Sequence, residues 1–222
     1  ALALAYNHSF PMPLYWHLVL LGLILGLLGH LYKLGLFNFK KLYAKITFIP
    51  RWLHGLIPLV ILMPIMYYLP LITGPGNHLI LSLPKSIAYS SWNLVGMLAI
   101  FYVIRIAFSI VSYDSGLPSG IFLPILTMGA LIGATYGLFM VQLGLLPQKL
   151  VINLIIFAMA GYFAAIIRAP FTAIILITEM VGSLLHLMPL AVVAFIALLV
   201  DQLLGGRPIY DSLAAAMEPK SS

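Results

Sequence analysis

A stretch rich in glycine and proline, residues 114–124, lies between two long apolar segments and has the composition of an anion-binding loop. It reads Asp-Ser-Gly-Leu-Pro-Ser-Gly-Ile-Phe-Leu-Pro. Its glycines let a ligand approach the backbone, and Pro124 favours a helix start, where NH groups lack intrahelical partners and the dipole is positive. We therefore expect the NH groups of Ile121 and Phe122 to hold an anion. Taken alone, the stretch also fits a simple turn before a helix that starts at a proline. The supporting loop positions are Gly116, Pro118, Ser119, Gly120 and Pro124.

Two further stretches place polar side chains at predicted helix ends. In 205–210, Tyr210 stands at the start of a short helix, where its hydroxyl could donate to the same anion; the alternative is an ordinary interfacial tyrosine. Glu179 ends an apolar helix and is either functional, because acids inside membranes are costly, or a hydrogen-bonded structural residue near an interface. Arg168 precedes that helix and either attracts anions or extends its side chain to the lipid headgroups.

Ser119 and His186 raise the alternative of an intramembrane serine protease, with the serine as nucleophile and the histidine as base. A rhomboid-like protease requires Gly-x-Ser-Gly, whereas 116–120 reads Gly-Leu-Pro-Ser-Gly, which is one residue too long. No His-Glu-x-x-His pattern indicates a metalloprotease. The chain contains no cysteine, which excludes disulfides, thiolate nucleophiles and Cys-ligated zinc. We therefore expect a protein that is not an enzyme and that has no metal site and no cofactor.

The segments that must position these residues are too apolar for a soluble domain. Of 222 residues, 63% are hydrophobic and 7% are charged, against about a quarter charged in soluble domains. About 20 apolar residues make one crossing of a bilayer, and near-continuous apolar runs favour helices over a barrel. We expect an all-α, polytopic membrane protein with tilted, broken and re-entrant helices. The helices are predicted at about 13–43, 50–71, 78–86, 91–112, 122–142, 150–166, 170–181, 187–204 and 208–217. Gly129, Gly133 and Gly137 are predicted to form a close-packing strip.

Basic residues are concentrated in the first polar connection, within a formal net charge of +6. Short loops rich in lysine and arginine remain cytoplasmic, so the loop at about 38–50 is predicted to lie inside. Nucleic-acid binding is disfavoured because the cluster borders lipid-length segments and has no separate domain. The chain starts at Ala1 without a basic leader region, which indicates a fragment or trimmed chain rather than a signal peptide. The cluster comprises Lys33, Lys40, Lys41, Lys45 and Arg51.

Together and in this order, the three stretches resemble the CLC family of chloride channels and proton-coupled chloride antiporters. The family signatures are a Gly-Ile-Phe-x-Pro loop, an Ile-Arg-Ala-Pro-to-Glu-Met helix and a Gly-Lys/Arg-Pro-x-Tyr element. They match 120–124, 167–180 and 206–210, and the resemblance is specific over about 113–217. Over 13–112 only the helix pattern agrees. Ser119 departs from the glycine that the family usually has.

The resemblance implies that the chain is the second of two inverted halves, with the anion held by the amides of Ile121 and Phe122 and the hydroxyl of Tyr210. The gating glutamate and central serine belong to the first half. It further implies transport of chloride, as cargo, by a channel or a proton exchanger in the cell membrane. The expected partners are the first half, the bilayer and a second copy bound through 170–181 and 187–204, with a cytoplasmic C-terminus and no regulatory domain. A scaffold half that transports nothing by itself remains compatible with this interpretation.

Overall fold

The structure is a computed structural model, and it describes residues 9–43, 80–83, 87, 91–114, 122–206 and 209. Every regular element in these ranges is helical, as the sequence predicts. The predicted helices at 50–71 and 208–217, apart from residue 209, lie outside the described residues, and within 78–86 residues 80–83 are helical. The main helices are α1 Tyr15–Tyr43, α2 Trp92–Asp114, α3 Phe122–Gln142, α4 Val151–Ile167, α5 Pro170–Val181 and α6 Leu187–Leu203. Short 3-10 turns, Met12–Leu14 and Gln148–Leu150, precede α1 and α4.

The break between α4 and α5 has a clear local cause. Arg168 follows α4 in the left-handed conformation, with φ 61°, and its NH donates to the Ala164 carbonyl at 2.9 Å. Pro170 then begins α5, at a position where a helix needs no NH donor. Gly182 ends α5 with φ 73°, a left-handed backbone that glycine adopts without steric cost. These residues therefore divide one apolar stretch into two helices.

Helix α4 forms the centre of the described fold. It packs against α1, α3, α5 and α6, while α2 packs against α1 and α3. Residues along the whole of α4 are buried, among them Leu154, Phe157 and Tyr162. The helix is therefore apolar on all sides because it has protein neighbours on all sides.

The strip of small residues on α3 lies directly against α4. A Cβ placed at Gly133 would come within 2.7 Å of the Ile155 Cα, and one at Gly129 within 2.8 Å of the Ala158 carbonyl oxygen. At Gly137 it would lie 2.8 Å from a Val151 methyl group. The two backbones approach this closely because the strip carries no side chains.

Four helical stretches of the described chain are long and apolar enough to cross a bilayer: Met12–Asn38, Trp92–Ile110, Phe122–Gln142 and Gln148–Ile167. Two apolar helices are shorter. At about 1.5 Å per residue, the 12 residues of α5 extend about 18 Å, less than a hydrocarbon core of about 30 Å. The fold is that of a multi-pass membrane protein whose described part has four membrane-length helices followed by two shorter apolar ones.

Candidate functional site

The first part of the predicted anion site is the start of α3. The helix begins at Phe122, so the NH of this residue has no partner within the helix. The Phe122 ring packs edge-on against Phe163 of α4, with centroids 5.6 Å apart, which fixes this end of α3 to the core. Pro124 lies in the first turn, and Thr127 donates its hydroxyl to the Leu123 carbonyl at 2.8 Å. A helix start of this kind is what the predicted anion cradle requires, and anion binding there stays a prediction.

The remaining loop positions and the tyrosine lie outside the described residues. This applies to Gly116, Pro118, Ser119, Gly120, Ile121 and Tyr210. Upstream of the tyrosine the structure describes the chain up to residue 206, and residue 209: α6 ends at Leu203, and the chain turns at Gly205 with φ 75°. Ile209 is helical and fully buried. Ile209, the residue that precedes Tyr210, therefore packs into the protein interior.

The two charged candidates have different surroundings. Glu179 is exposed near the C-terminal end of α5. Arg168 is partly buried and donates from Nε to the Asp201 carboxylate at 3.3 Å, and its terminal nitrogen donates to the Gly206 carbonyl. Neither of the two interpretations of Arg168 from the sequence, attraction of anions or extension toward the lipid headgroups, predicts these contacts. The side chain of Arg168 ties the break after α4 to the end of α6.

Asp201 is the centre of a buried ionic cluster that joins three helices. Its side chain is fully buried, and Lys33 Nζ of α1 lies 2.6 Å from Oδ2 with a side chain that is only 2% exposed. Lys33 also donates to the Ala165 carbonyl at 3.1 Å, and His30 Nδ1 lies 3.4 Å from Oδ1 of the aspartate. We call Lys33, Arg168 and Asp201 the ionic network. It connects α1, the C-terminal end of α4 and the last turn of α6.

Charge pairing explains why this network is tolerated in an apolar core. An isolated charge in the interior is strongly disfavoured, whereas a paired and hydrogen-bonded charge is not. Asp201 is one acid facing a lysine and an arginine, and its carboxylate pairs with both. The sequence motifs do not include Asp201, although an acid at the end of an apolar helix is the same signal that points to Glu179.

His186, the proposed base of the protease alternative, lies at the start of α6. Its ring is 2% exposed and contacts Phe157, with centroids 6.0 Å apart. Burial lowers the pKa of the His186 imidazole, which keeps it neutral at neutral pH. The proposed nucleophile, Ser119, lies outside the described residues. Of the two residues of the protease alternative, the structure therefore describes His186, whose ring packs against Phe157.

Two sequence comparisons support the family resemblance. A profile of the voltage-gated chloride channel family matches residues 1–202. The H(+)/Cl(-) exchange transporter ClcA of Vibrio campbellii (strain ATCC BAA-1116) is 36% identical over 152 residues, which are 67% of this chain and 31% of that protein. The chain thus spans about a third of the length of this curated relative.

Solved structures of CLC proteins have the same fold. A slow cyanobacterial Cl-/H+ antiporter aligns with a TM-score of 0.85 and 24% identity, covering 100% of this chain and 51% of that one. A CLC-type fluoride/proton antiporter aligns with a TM-score of 0.66 and 20% identity, covering 91% of this chain and 47% of that one. A eukaryotic CLC transporter aligns with a TM-score of 0.62 and 19% identity, covering 94% of this chain and 36% of that one. Because the family profile spans most of the chain, the chain belongs to the voltage-gated chloride channel family.

Proposed function

We propose that this chain is the second half of a CLC-type transporter and supplies half of the site through which chloride crosses the membrane. The observation that carries the proposal is the start of α3 at Phe122, directly after the glycine-rich loop, in a chain of this family. Partial positive charge and unpartnered NH groups at that helix end suit an anion without placing a full cation beside it. Binding of this kind is loose enough for release, which conduction requires.

Within this proposal the residues have distinct roles. The NH groups of Ile121 and Phe122 bind the anion, and the Tyr210 hydroxyl donates a third hydrogen bond. The loop positions Gly116, Pro118, Ser119 and Gly120 support the amides, and Pro124 in the first turn favours the helix start. Ser119 in place of the usual glycine alters loop freedom but leaves the amides in place.

Proton-coupled exchange is the mode that the relatives favour over a passive channel. The Vibrio campbellii relative is an H(+)/Cl(-) exchange transporter, and the cyanobacterial protein with the same fold is a Cl-/H+ antiporter. A fluoride/proton antiporter has the same fold, so anion selectivity requires its own measurement. The residues used for gating belong to the first half.

We further propose that the whole protein is a homodimer in the cell membrane, with the loop at about 38–50 and the C-terminus in the cytoplasm. Helices α5 and α6 present large apolar side chains outward in this single chain; Phe171 is 68% exposed and Ile175 is 65% exposed. Exposed apolar side chains of this kind suit either lipid or a second copy bound through 170–181 and 187–204. The basic residues of the first loop support the orientation.

The test is flux from liposomes that contain the whole protein of which this chain is a part. Chloride efflux is followed with a chloride-selective electrode, and proton movement is followed with a pH electrode in the same vesicles. We expect chloride efflux together with opposed proton movement. Chloride efflux without proton movement would indicate a channel, and the absence of both would contradict the proposal.

The protease alternative is tested in parallel with Ser119→Ala. Because the cradle uses backbone NH groups, we expect anion flux to stay within a few fold of the unmodified protein. Cleavage of a membrane substrate that is lost in this variant would support the protease instead.

A further inference from the structure

Two buried polar atoms face each other without a hydrogen bond in the part of the chain that the structure describes. They are Nδ1 of His30 on α1 and Oδ1 of Asp201 on α6, and they lie 3.4 Å apart. Buried polar atoms are nearly always hydrogen-bonded, so an exception requires an explanation. His30 also lies within the membrane-length stretch Met12–Asn38, where an ionisable side chain is a candidate for ion or proton transport.

The chemistry of Asp201 decides which nitrogen of His30 carries the hydrogen. The other carboxylate oxygen, Oδ2, accepts hydrogen bonds from the charged side chains of Lys33 and Arg168. An ionised carboxylate has only acceptors, so an unprotonated Nδ1 would point its lone pair at Oδ1. The hydrogen of the neutral ring therefore belongs on Nδ1, which leaves Nε2 as the basic nitrogen.

The imidazole has access to its surroundings that the acid lacks. The side chain of His30 is 13% exposed, whereas that of Asp201 is fully buried. Nδ1 is itself buried, so the accessible part of the side chain is not the nitrogen that faces the acid. We therefore expect proton exchange with the surroundings at Nε2.

The charged groups packed around His30 come from three elements. They are Lys33 of α1, one turn further along the same helix, Arg168 after α4 and Asp201 of α6. Tyr32, the other titratable side chain on this part of α1, is turned toward α2, where its hydroxyl bonds a serine. The imidazole is thus placed beside one acid and two cations.

This arrangement lets a proton bind to the imidazole and leave again. The carboxylate attracts the positive charge of an imidazolium, and the two cations repel it. Charge-assisted hydrogen bonds have lengths of about 2.7–2.9 Å, so protonation would also shorten the 3.4 Å contact between His30 and Asp201. A site in a transport cycle needs such a balance, because it must release what it binds.

We propose that His30, oriented by Asp201, is a proton-binding residue of the exchange cycle. In each cycle a proton adds to Nε2 while Nδ1–H donates to the carboxylate, and a proton later leaves from Nε2. No bond of the ionic network has to break, so the helices that it joins stay in place. The inference rests on the proposed function in its proton-coupled form. It assigns a proton site to this half of the protein, in addition to the gating residues expected from the first half.

The first experiment determines where the hydrogens of the His30 ring lie in the whole protein. The protein carries isotope-labelled histidine, is placed in lipid nanodiscs and is studied by nitrogen NMR; His30→Gln identifies the His30 signals by their loss. We expect the hydrogen on Nδ1 at about pH 8 and hydrogens on both nitrogens at about pH 5, the range in which histidine titrates. A hydrogen on Nε2 alone at the alkaline end, or a ring that stays neutral at the acidic end, would overturn the proton site.

The second experiment measures proton and chloride movement together in liposomes that contain the whole protein. His30→Gln keeps an amide group that can donate to Asp201 but that takes up no proton. Because a positioned proton-transfer group contributes about 100-fold or more, proton movement per chloride should fall by at least about 10-fold. Chloride affinity, measured by calorimetry, should stay unchanged, since the proposed anion site uses other residues.

His186→Gln is the matched control for the loss of a histidine. Residue 186 lies 15 positions before Asp201, which is about 22 Å along α6. This variant should keep the proton-to-chloride ratio of the unmodified protein. An equal fall of the ratio in both histidine variants would overturn the specific role of His30.

The remaining outcomes separate the inference from the proposed function. An unchanged proton-to-chloride ratio in His30→Gln, or loss of folding in that variant, would overturn the proton site and leave the proposed function in place. Chloride movement without protons from the unmodified protein would indicate a channel and would also overturn the proton site. No chloride movement at all would contradict the proposed function itself.

The orienting role of Asp201 is tested with Asp201→Asn. The new amide has both an acceptor oxygen and NH donors, so it no longer requires a hydrogen on Nδ1 of His30. We expect signals of both neutral tautomers at about pH 8, together with a reduced proton-to-chloride ratio. A ring that keeps its hydrogen on Nδ1 alone would show that Asp201 does not orient it. If this variant does not fold, the tautomer found in the unmodified protein decides the question.

Discussion

Lys33 Nζ and Asp201 Oδ2 lie 2.6 Å apart, so that a buried ion pair joins α1 to the last turn of α6 across 168 positions of sequence. The same carboxylate accepts a hydrogen bond from Arg168 at the end of α4. Three helices that are distant in sequence thus meet at one charge. This junction lies beside the turn that leads to Tyr210, which makes it the most informative place to perturb the fold.

Removing the lysine charge should destabilise the protein strongly. Lys33→Met leaves Asp201 in a fully buried position with Arg168 as its remaining hydrogen-bonded cation. Breaking a buried pair by removing one partner costs about 3–5 kcal/mol of the free energy of unfolding. The measurement is thermal unfolding in detergent, with Lys149→Met as the exposed control. A melting temperature equal to that of the control would mean that the pair contributes no stability.

The two parts of Tyr210 should have separable effects in the whole protein. Tyr210→Phe loses one neutral hydrogen bond, worth about 0.5–1.5 kcal/mol, and should weaken chloride binding by about 2- to 13-fold without affecting folding. Tyr210→Ala also removes the ring and should raise anion leak relative to coupled proton movement. Calorimetric titration tests the first effect, and paired anion and proton fluxes test the second. Unchanged chloride affinity in both variants would leave Tyr210 as an interfacial tyrosine.

This chain reconstituted alone should give no selective chloride flux. Half of the anion cage and the gate are expected from the first half of the protein. Co-expression with that half should restore the flux, measured with a chloride-selective electrode on liposomes. Robust selective flux from residues 1–222 alone would contradict the half-site interpretation.

A methyl group on the glycine strip should separate α3 from α4. Gly133→Ala places a Cβ 2.7 Å from the Ile155 Cα, a contact that neither backbone can relieve without moving. Overpacking of this kind typically costs about 1–3 kcal/mol. Gly96→Ala on α2 meets no neighbour and should leave the melting temperature unchanged or slightly higher. Equal melting temperatures for the two variants would mean that the helices do not pack as closely as described.

The buried His186 should make the protein less stable in mild acid. Its pKa is lowered by burial, so the unfolded chain takes up a proton as the pH falls below about 6.5 while the folded state remains neutral. Stability from this residue is complete above that pH and declines as the pH falls toward the lowered pKa of the folded state. His186→Gln should lose less stability than the unmodified protein between pH 7 and pH 5.5, as measured by thermal unfolding. Identical losses would exclude a contribution from His186.

The sequence by itself determines the membrane class, the helical fold and the family. Long runs without charge require helices in a bilayer, because backbone groups there must be paired internally. Helix ends such as those at Pro170 and Gly182 can also be predicted from the sequence, since they depend on backbone chemistry within a few residues. The family resemblance follows from three short motifs, which are local features as well.

The tertiary structure alone decides which polar residues meet. Arg168 and Glu179 look alike in the sequence, as charges that flank one apolar helix, yet one binds Asp201 and the other is exposed. Lys33 belongs to the basic cluster of the first connection, but it is buried against an acid 168 positions away. Such pairings depend on how α1, α4 and α6 pack together. A charge in a sequence has no partner until the helices are assembled, and burial makes that partner obligatory.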